Sequence, residues 1–280
     1  MNTAQQTLLV LGATGKTGRR ITQRLEAAGL PVRQGSRDAN PPFDWEDRLT
    51  WDAVIDGVHA AYISFQPDLA VPGAVETIQA FTDLAVKSGV RKLVLLSGRG
   101  EVEAQQAERV VQDSGIDWTI LRASWFCQNF SEAHFLEPIV QGELALPVGQ
   151  VAEPFVDADD IAECAVAALT QPGHTHQLYE LTGPRALTFA DAVTEIARAT
   201  HRNIEFVAVP AHAYRQAMEQ EQLPPALIDL VLYLFTTVLD GRNTPVTDGV
   251  QRALGRPARD FSDYVQRTAA AGIWENGRRM

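Results

Sequence analysis

The chain has 280 residues, 45% of them hydrophobic, enough to bury the core of one large α/β domain or a domain with a lobe. A formal net charge of −11 and the lack of a basic run argue against a nucleic-acid face. Two cysteines, Cys127 and Cys164, exclude a disulfide framework, and six scattered histidines lack metal-ligand spacing.

Met1 to Gln6 is polar and carries no basic segment of a secretory leader. The first half then alternates apolar strands with amphipathic helices, the pattern of a doubly wound parallel sheet. Strands are predicted at Leu8–Leu11, Val32–Gly35, Ala60–Ser64, Lys92–Leu96 and Trp118–Leu121, with helices near Gly18–Ala28, Pro72–Ser88 and Val102–Asp113. Phe43 to Gly57 fits a small third strand and a brief helix. After Phe130 the pattern changes. A small hairpin is predicted in Leu144–Phe155, a helix at Asp157–Leu169, a strand at Leu178–Leu181, a helix at Phe189–Thr200 and a strand at Ile204–Val209. The remainder reads as mostly helical, broken at Pro224-Pro225 and Pro245. Ala226 to Leu239 is the greasiest stretch, too short to span a bilayer and read as a buried helix, a pocket lining or a contact with a second copy. The reading is a Rossmann-type α/β fold: residues 1–155 form a nucleotide-binding domain, and residues 156–280 complete the sheet edge and form a smaller, mostly helical substrate lobe. A cytoplasmic protein without membrane or nucleic-acid partners is expected, as a monomer or a homodimer.

Thr7 to Ile21 contains the strongest motif, Gly12-Ala13-Thr14-Gly15-Lys16-Thr17-Gly18, between an apolar strand and a helix. Such a turn holds a pyrophosphate. Gly12 turns tightly, Gly15 admits the phosphates to the backbone, Gly18 lets the helix lie close to the strand, and the helix N-terminus presents N–H groups to the anion. The spacing is GxxGxxG rather than GxGxxG. A phosphate loop ending in Gly-Lys-Thr is excluded because Val10 stands where that motif requires glycine. The second strand ends in Ser36-Arg37, where an NAD-specific site carries a carboxylate for the ribose 2′-OH. A hydroxyl and a guanidinium suit a 2′-phosphate, which selects NADP(H) over NAD(H). The bland reading of Arg37 is a solvated surface residue beside Asp38. Later strands end in Ser64-Phe65-Gln66, Ser97-Gly98 and Ala123-Ser124-Trp125-Phe126. Glu101 to Val111 contains neither tyrosine nor lysine, so the acid/base pair usual in short-chain reductases is missing there.

The segments GATGKTGRRI, FDWEDRLTW, WTILRASWFCQNF, FVDADDIAECAVAAL and YELTGPRALTF together resemble the NmrA-like atypical short-chain dehydrogenase/reductase family, nearest its ergot-alkaloid-biosynthesis branch. The likeness runs nearly end to end. It implies that Gly12, Thr14, Gly15, Lys16, Thr17 and Gly18 hold phosphates and that Ser36 and Arg37 hold the 2′-phosphate. Asp44 and Trp45 would meet the adenine, Ser64, Phe65 and Gln66 the ribose, and Ser97 and Gly98 the nicotinamide. Ser124, Trp125, Phe126, Gln128, Asn129 and Phe130 would border a small-molecule substrate; plain core packing is the competing reading of Trp125 and Phe126.

Hydride transfer from NADPH to a C=N, C=C or C=O bond is the expected reaction. An iminium carries its own positive charge and needs no acid, which would account for the missing pair. Where a proton is needed, Ser97, Ser124 or a water held by Gln128 or Asn129 could deliver it. Two other readings stay open at this stage: a catalytically inactive NADP(H)-binding redox sensor, and a redox-neutral isomerase or cyclase.

Overall fold

A computed structural model describes residues 6–275; the polar Met1–Gln5 lies outside them. The strands, in chain order, are β1 (Thr7–Leu11), β2 (Val32–Gly35), β3 (Val58–Ile63), β4 (Lys92–Gly98), β5 (Asp117–Ala123), β6 (Glu143–Leu146), β7 (Ala152–Glu153), β8 (Gln177–Leu181), β9 (Leu187–Thr188) and β10 (Glu205–Ala208). The chain divides into two compact units that interleave along the sequence. The first comprises Met1–Ala123, Ala158–Leu181 and Asp248–Pro257, and the second comprises Ser124–Asp157, Thr182–Thr247 and Ala258–Met280. The expected division after residue 155 is therefore replaced by a chain that passes repeatedly from one unit to the other. One cause is β8: it pairs with β5 in parallel, so the chain returns to the first unit to supply the last strand of its sheet.

The first unit holds a six-stranded parallel sheet in the order β2-β1-β3-β4-β5-β8. Side chains alternate across it, as the period of two in a strand requires. Leu9, Leu11, Ala61, Ile63, Leu93 and Leu95 join one core with Ile78, Phe81, Ala104 and Ala107 from the helices Ala74–Lys87 and Val102–Gln112. The intervening Leu8, Val10, Ala60, Tyr62 and Val94 are equally buried, and Tyr62 reaches Thr17 at the start of the helix Gly18–Ala27. That helix packs against Ala158–Thr170, an alanine-rich helix that also lies on β3, β4 and β5. Its Asp159 and Asp160 are held by Arg24 at 2.6 Å and Arg256 at 2.7 Å.

The chain leaves β1 for β2 on one side and β3 on the other, which creates a crevice beyond the carboxyl ends of β1 and β3. No strand forms in Phe43–Gly57, contrary to the pattern-based expectation. The carboxylate of Asp47 instead caps a short helical turn through the Leu49 N–H at 3.0 Å, leading into the helix Trp51–Ile55. Phe43 and Trp51 pack their rings 6.1 Å apart, and each lies against Phe81. The apolar residues that suggested a strand are used as an aromatic cluster.

In the second unit, β6 pairs with β10 in parallel and β7 with β9 in antiparallel. The predicted hairpin in Leu144–Phe155 is thus not formed; both strands find partners far along the chain. Parallel pairing needs a long crossover, which the helix Phe189–Thr200 supplies, with Thr188 and Asp191 forming a capping box at its start. Phe130, Phe155, Phe189, Phe261 and Trp274 build the core. The apolar run Ala226–Leu239 is the helix Pro225–Tyr233 followed by a π-helical turn, Leu234–Val238. It is amphipathic rather than wholly buried: Ile228, Leu232, Phe235 and Val238 face the interior, while Leu227 and Leu230 are half-buried. Among the described residues no helix is long and apolar enough to cross a membrane.

Candidate cofactor and active site

Gly12 has φ +69°, a left-handed conformation that favours glycine. Its N–H and that of Ala13 donate to the Gly35 carbonyl at 3.0 and 3.3 Å, tying the turn to the end of β2. The Gly15 N–H donates to the Gly12 carbonyl at 2.9 Å. A Cβ on Gly18 would lie 2.1 Å from that same carbonyl oxygen and 2.7 Å from its carbon. The first helical residue therefore presses on the turn through bare backbone. Thr17 is buried, and its hydroxyl is not used to cap the helix; it accepts a hydrogen bond from the Tyr62 hydroxyl at 2.9 Å. Thr14 is exposed, and Lys16 is half-buried with its carbonyl bonded to Arg20 at 2.8 Å. The helix N-terminus at Gly18 and the side-chain-free backbone of Gly12, Gly15 and Gly18 fit a pyrophosphate.

Ser36 is half-buried and Arg37 exposed, directly after β2. The Ser36 carbonyl accepts the Phe43 N–H at 2.9 Å, which folds the following loop back. Asp44 accepts the Trp51 indole N–H on its carbonyl at 2.7 Å and the Glu46 N–H on its carboxylate at 3.0 Å. The Trp45 indole donates to the Ser64 carbonyl at 3.3 Å, and its ring sits 5.1 Å from that of Phe65. The fold thus brings Trp45 to the end of β3, beside Ser64 and Phe65, while Gln66 is exposed.

At the end of β4, Ser97 is buried, and its hydroxyl donates to Glu108 at 2.6 Å. Glu108 also receives the forked Arg122 guanidinium at 2.9 and 2.5 Å, and Arg122 reaches Glu180 at 2.8 Å. That network holds the one proton of the Ser97 side chain, so the geometry does not offer Ser97 as a free acid. The next carboxyl along the chain is different. Glu101 is 8% exposed and stands at the N-cap position of Val102–Gln112, yet its side chain caps no helix N–H. It lies over Gly98, where a Cβ would be 2.1 Å from its carboxylate oxygen. Its partner is Asp68, from the loop after β3, whose carboxylate also accepts the Ala70 N–H at 2.8 Å. Burial, then the adjacent Asp68, push the Glu101 carboxyl up to about 9; burial raises Asp68 as well.

A family described as NAD(P)H-binding matches residues 12–172, a span that runs from the glycine turn through β2 to β5 and beyond. The chain belongs to this NAD(P)H-binding family. It is 30% identical over 286 residues to an NAD(P)H azoreductase of Xenophilus azovorans, covering 94% of this chain and 98% of the relative. It is 29% identical over 284 residues to an agroclavine dehydrogenase of Claviceps fusiformis, covering 92% and 96%. The fold is shared with NmrA, a negative transcriptional regulator solved in complex with NAD: TM-score 0.75, 16% identity, 98% of each chain covered.

The residues that the sequence led us to expect beside a substrate, Ser124 to Phe130, belong to the second unit. Trp125 is half-buried, its ring 5.0 Å from Phe235 and 5.7 Å from Phe189, and its N–H donates to Glu153 at 3.3 Å. Phe126 is half-buried and bridges to Val156. Asn129 opens the short helix Asn129–Glu132, and Ser124 is buried. Two expectations meet a different setting. Gln128 is buried and donates to Asp157 at 2.8 Å, with Arg267 on the other carboxylate oxygen. Phe130 is fully buried among Phe135, Phe155 and Phe261, which makes it a core residue. Among the described residues no group of His, Cys, Asp and Glu could hold a metal ion.

Sequence reasoning missed Tyr62, Asp68, Glu101 and Glu108. Glu101 had one available signal, a carboxylate three residues after the glycine that ends β4. Its environment has a measurable consequence. An unfolded glutamate releases its proton near pH 4.3, whereas the folded group keeps it to about pH 9. Between these values the native state binds more protons, so stability falls as pH rises through the window. Glu101→Gln should flatten that fall and be the more stable protein at alkaline pH, as denaturant melts across the window will register.

Proposed function

We propose that this protein is an NADPH-dependent reductase that transfers hydride to a polarised C=N, C=C or C=O bond of a small, fairly apolar molecule. The observation that carries the reading is the glycine turn, whose Gly18 has no space for a side chain, at the start of the matched family region. Gly12, Gly15, Gly18 and the helix start would bind the pyrophosphate, with Thr14, Lys16 and Thr17 beside it. Ser36 and Arg37 would take the 2′-phosphate, Asp44 and Trp45 the adenine, and Ser64, Phe65 and Gln66 the ribose. Ser97 and Gly98 would line the nicotinamide. When bound, the cofactor supplies the hydride. The chain positions donor and acceptor, a contribution that can reach about 7–11 kcal/mol. Trp125 and Phe126 are the half-buried aromatic groups offered to the substrate, suited to an apolar or cationic acceptor. The azoreductase and the agroclavine dehydrogenase among the relatives support a reductive role.

Calorimetry with NADPH and NADH, followed by turnover with iminium, quinone and enone acceptors, tests this. Arg37→Ala should weaken NADPH by about 30-fold, the worth of one charge-assisted phosphate contact near 2 kcal/mol, and leave NADH unchanged. If the variant matches its parent for both nucleotides, the 2′-phosphate assignment fails. Tight cofactor binding without turnover of any acceptor points instead to a redox-sensing role.

A further inference from the structure

Resting on the reductase reading above, we propose that Glu101 is the proton donor of this site, with Asp68 as the residue that positions it and keeps it protonated. Three features of the first unit converge on the Glu101 carboxyl.

It stands at the carboxyl end of β4, and Asp68 follows the carboxyl end of β3, the edge along which an open α/β sheet binds its ligands. It refuses the role its position suggests. A carboxylate at a helix N-cap normally accepts a backbone N–H, and this one instead lies over Gly98 in space that any larger residue would fill. Finally, the competing hydroxyl, Ser97, is held by Glu108, and Arg122 completes that arrangement. The helix Val102–Gln112 has no tyrosine or lysine to do the work.

The charged groups acting on Glu101 are Asp68 from the loop after β3, and Glu103 and Glu108 from the helix that follows it. These three are acidic, so each opposes ionisation. Two carboxyls in contact share one proton, because both cannot ionise cheaply side by side. A neutral carboxylic acid next to a carboxylate is a general acid that stays loaded at neutral pH.

A bound nicotinamide cofactor would be the reductant, its hydride carrying the electron pair to the acceptor. The Glu101 O–H bond breaks as an O–H, N–H or C–H bond forms on the atom made electron-rich. The resulting dicarboxylate regains a proton from solvent. An iminium acceptor bypasses Glu101, since hydride alone neutralises it.

The test uses Glu101→Gln and Asp68→Asn with two acceptors, an iminium and an enone, and a readout on the cofactor-free protein. Infrared spectroscopy of the apo protein at neutral pH should show a protonated carboxyl band that Glu101→Gln removes. Glu101→Gln should lower kcat for the enone by about 100-fold or more, as loss of a general acid does, while NADPH affinity and iminium reduction persist. Asp68→Asn should move the alkaline limb of the enone pH profile. Equal losses on both acceptors would mark a structural role and overturn the proposal. So would an undiminished enone rate, or a missing carboxyl band. A parent protein that reduces the iminium but not the enone overturns it too. One that reduces neither defeats the reductase reading itself.

Discussion

Gly18→Ala should abolish useful cofactor binding, weakening NADPH by about 100-fold, or nearly 3 kcal/mol, with a loss of stability of about 1–3 kcal/mol. The added Cβ would stand 2.1 Å from the Gly12 carbonyl oxygen, 2.7 Å from its carbon and 3.0 Å from the Ala13 Cα. All three are backbone atoms of the turn, so no flexible side chain can move aside. Relief requires the helix Gly18–Ala27 to lift from β1, which displaces its N–H groups from the anion. Gly29→Ala is the control. Gly29 has φ +71°, and a Cβ there would meet nothing within 4 Å, so alanine strains only the local backbone by about 1 kcal/mol. Cofactor affinity should survive that change. Calorimetry and thermal melts on both variants separate a clash at the turn from a general intolerance of alanine.

Glu108→Ala should destabilise the first unit by about 3–5 kcal/mol and lower Tm by about 10 °C. Glu108 is 2% exposed and satisfies both the Ser97 hydroxyl and the Arg122 guanidinium. Its removal strands a buried hydroxyl and takes the acceptor from two of the three Arg122 hydrogen bonds described above; Glu180 keeps the third. The Glu108→Gln variant keeps an acceptor for Ser97 and should recover part of the loss. If Glu108→Ala melts with the parent, the network carries no net stabilisation.

The parallel sheet and the phosphate turn were legible in the sequence because each rests on local rules. Short apolar runs bounded by turns mark strands such as Leu8–Leu11, and glycine at Gly12, Gly15 and Gly18 reports backbone that must turn or be approached. Lys92–Leu96 and Val102–Asp113 likewise fall within two residues of the β4 and helix limits. The aromatic segment Phe43–Trp51 was misleading because a run of rings fits a half-buried strand as well as a packed cluster. Leu144–Phe155 was misread because a hairpin is the nearest partner available to two strands. The actual partners, β10 and β9, lie far along the chain and beyond the reach of any window.

The candidate acid shows the same boundary in chemical form. Glu101 is one carboxylate among the chain's 35 acidic residues, and its place three residues after Gly98 reveals neither its burial nor its partner. Asp68, 33 positions earlier, holds its proton only because β3 and β4 are adjacent in the sheet. Backbone geometry, glycine placement and hydrophobic period are properties of a few consecutive residues, and the sequence by itself determined them: a doubly wound sheet with an anion-binding turn. The partner of each strand, the burial of each side chain and the protonation of Glu101 depend on residues brought together from distant positions. Tertiary structure alone decided those, since desolvation and charge–charge energies fall with distance in space, not along the chain.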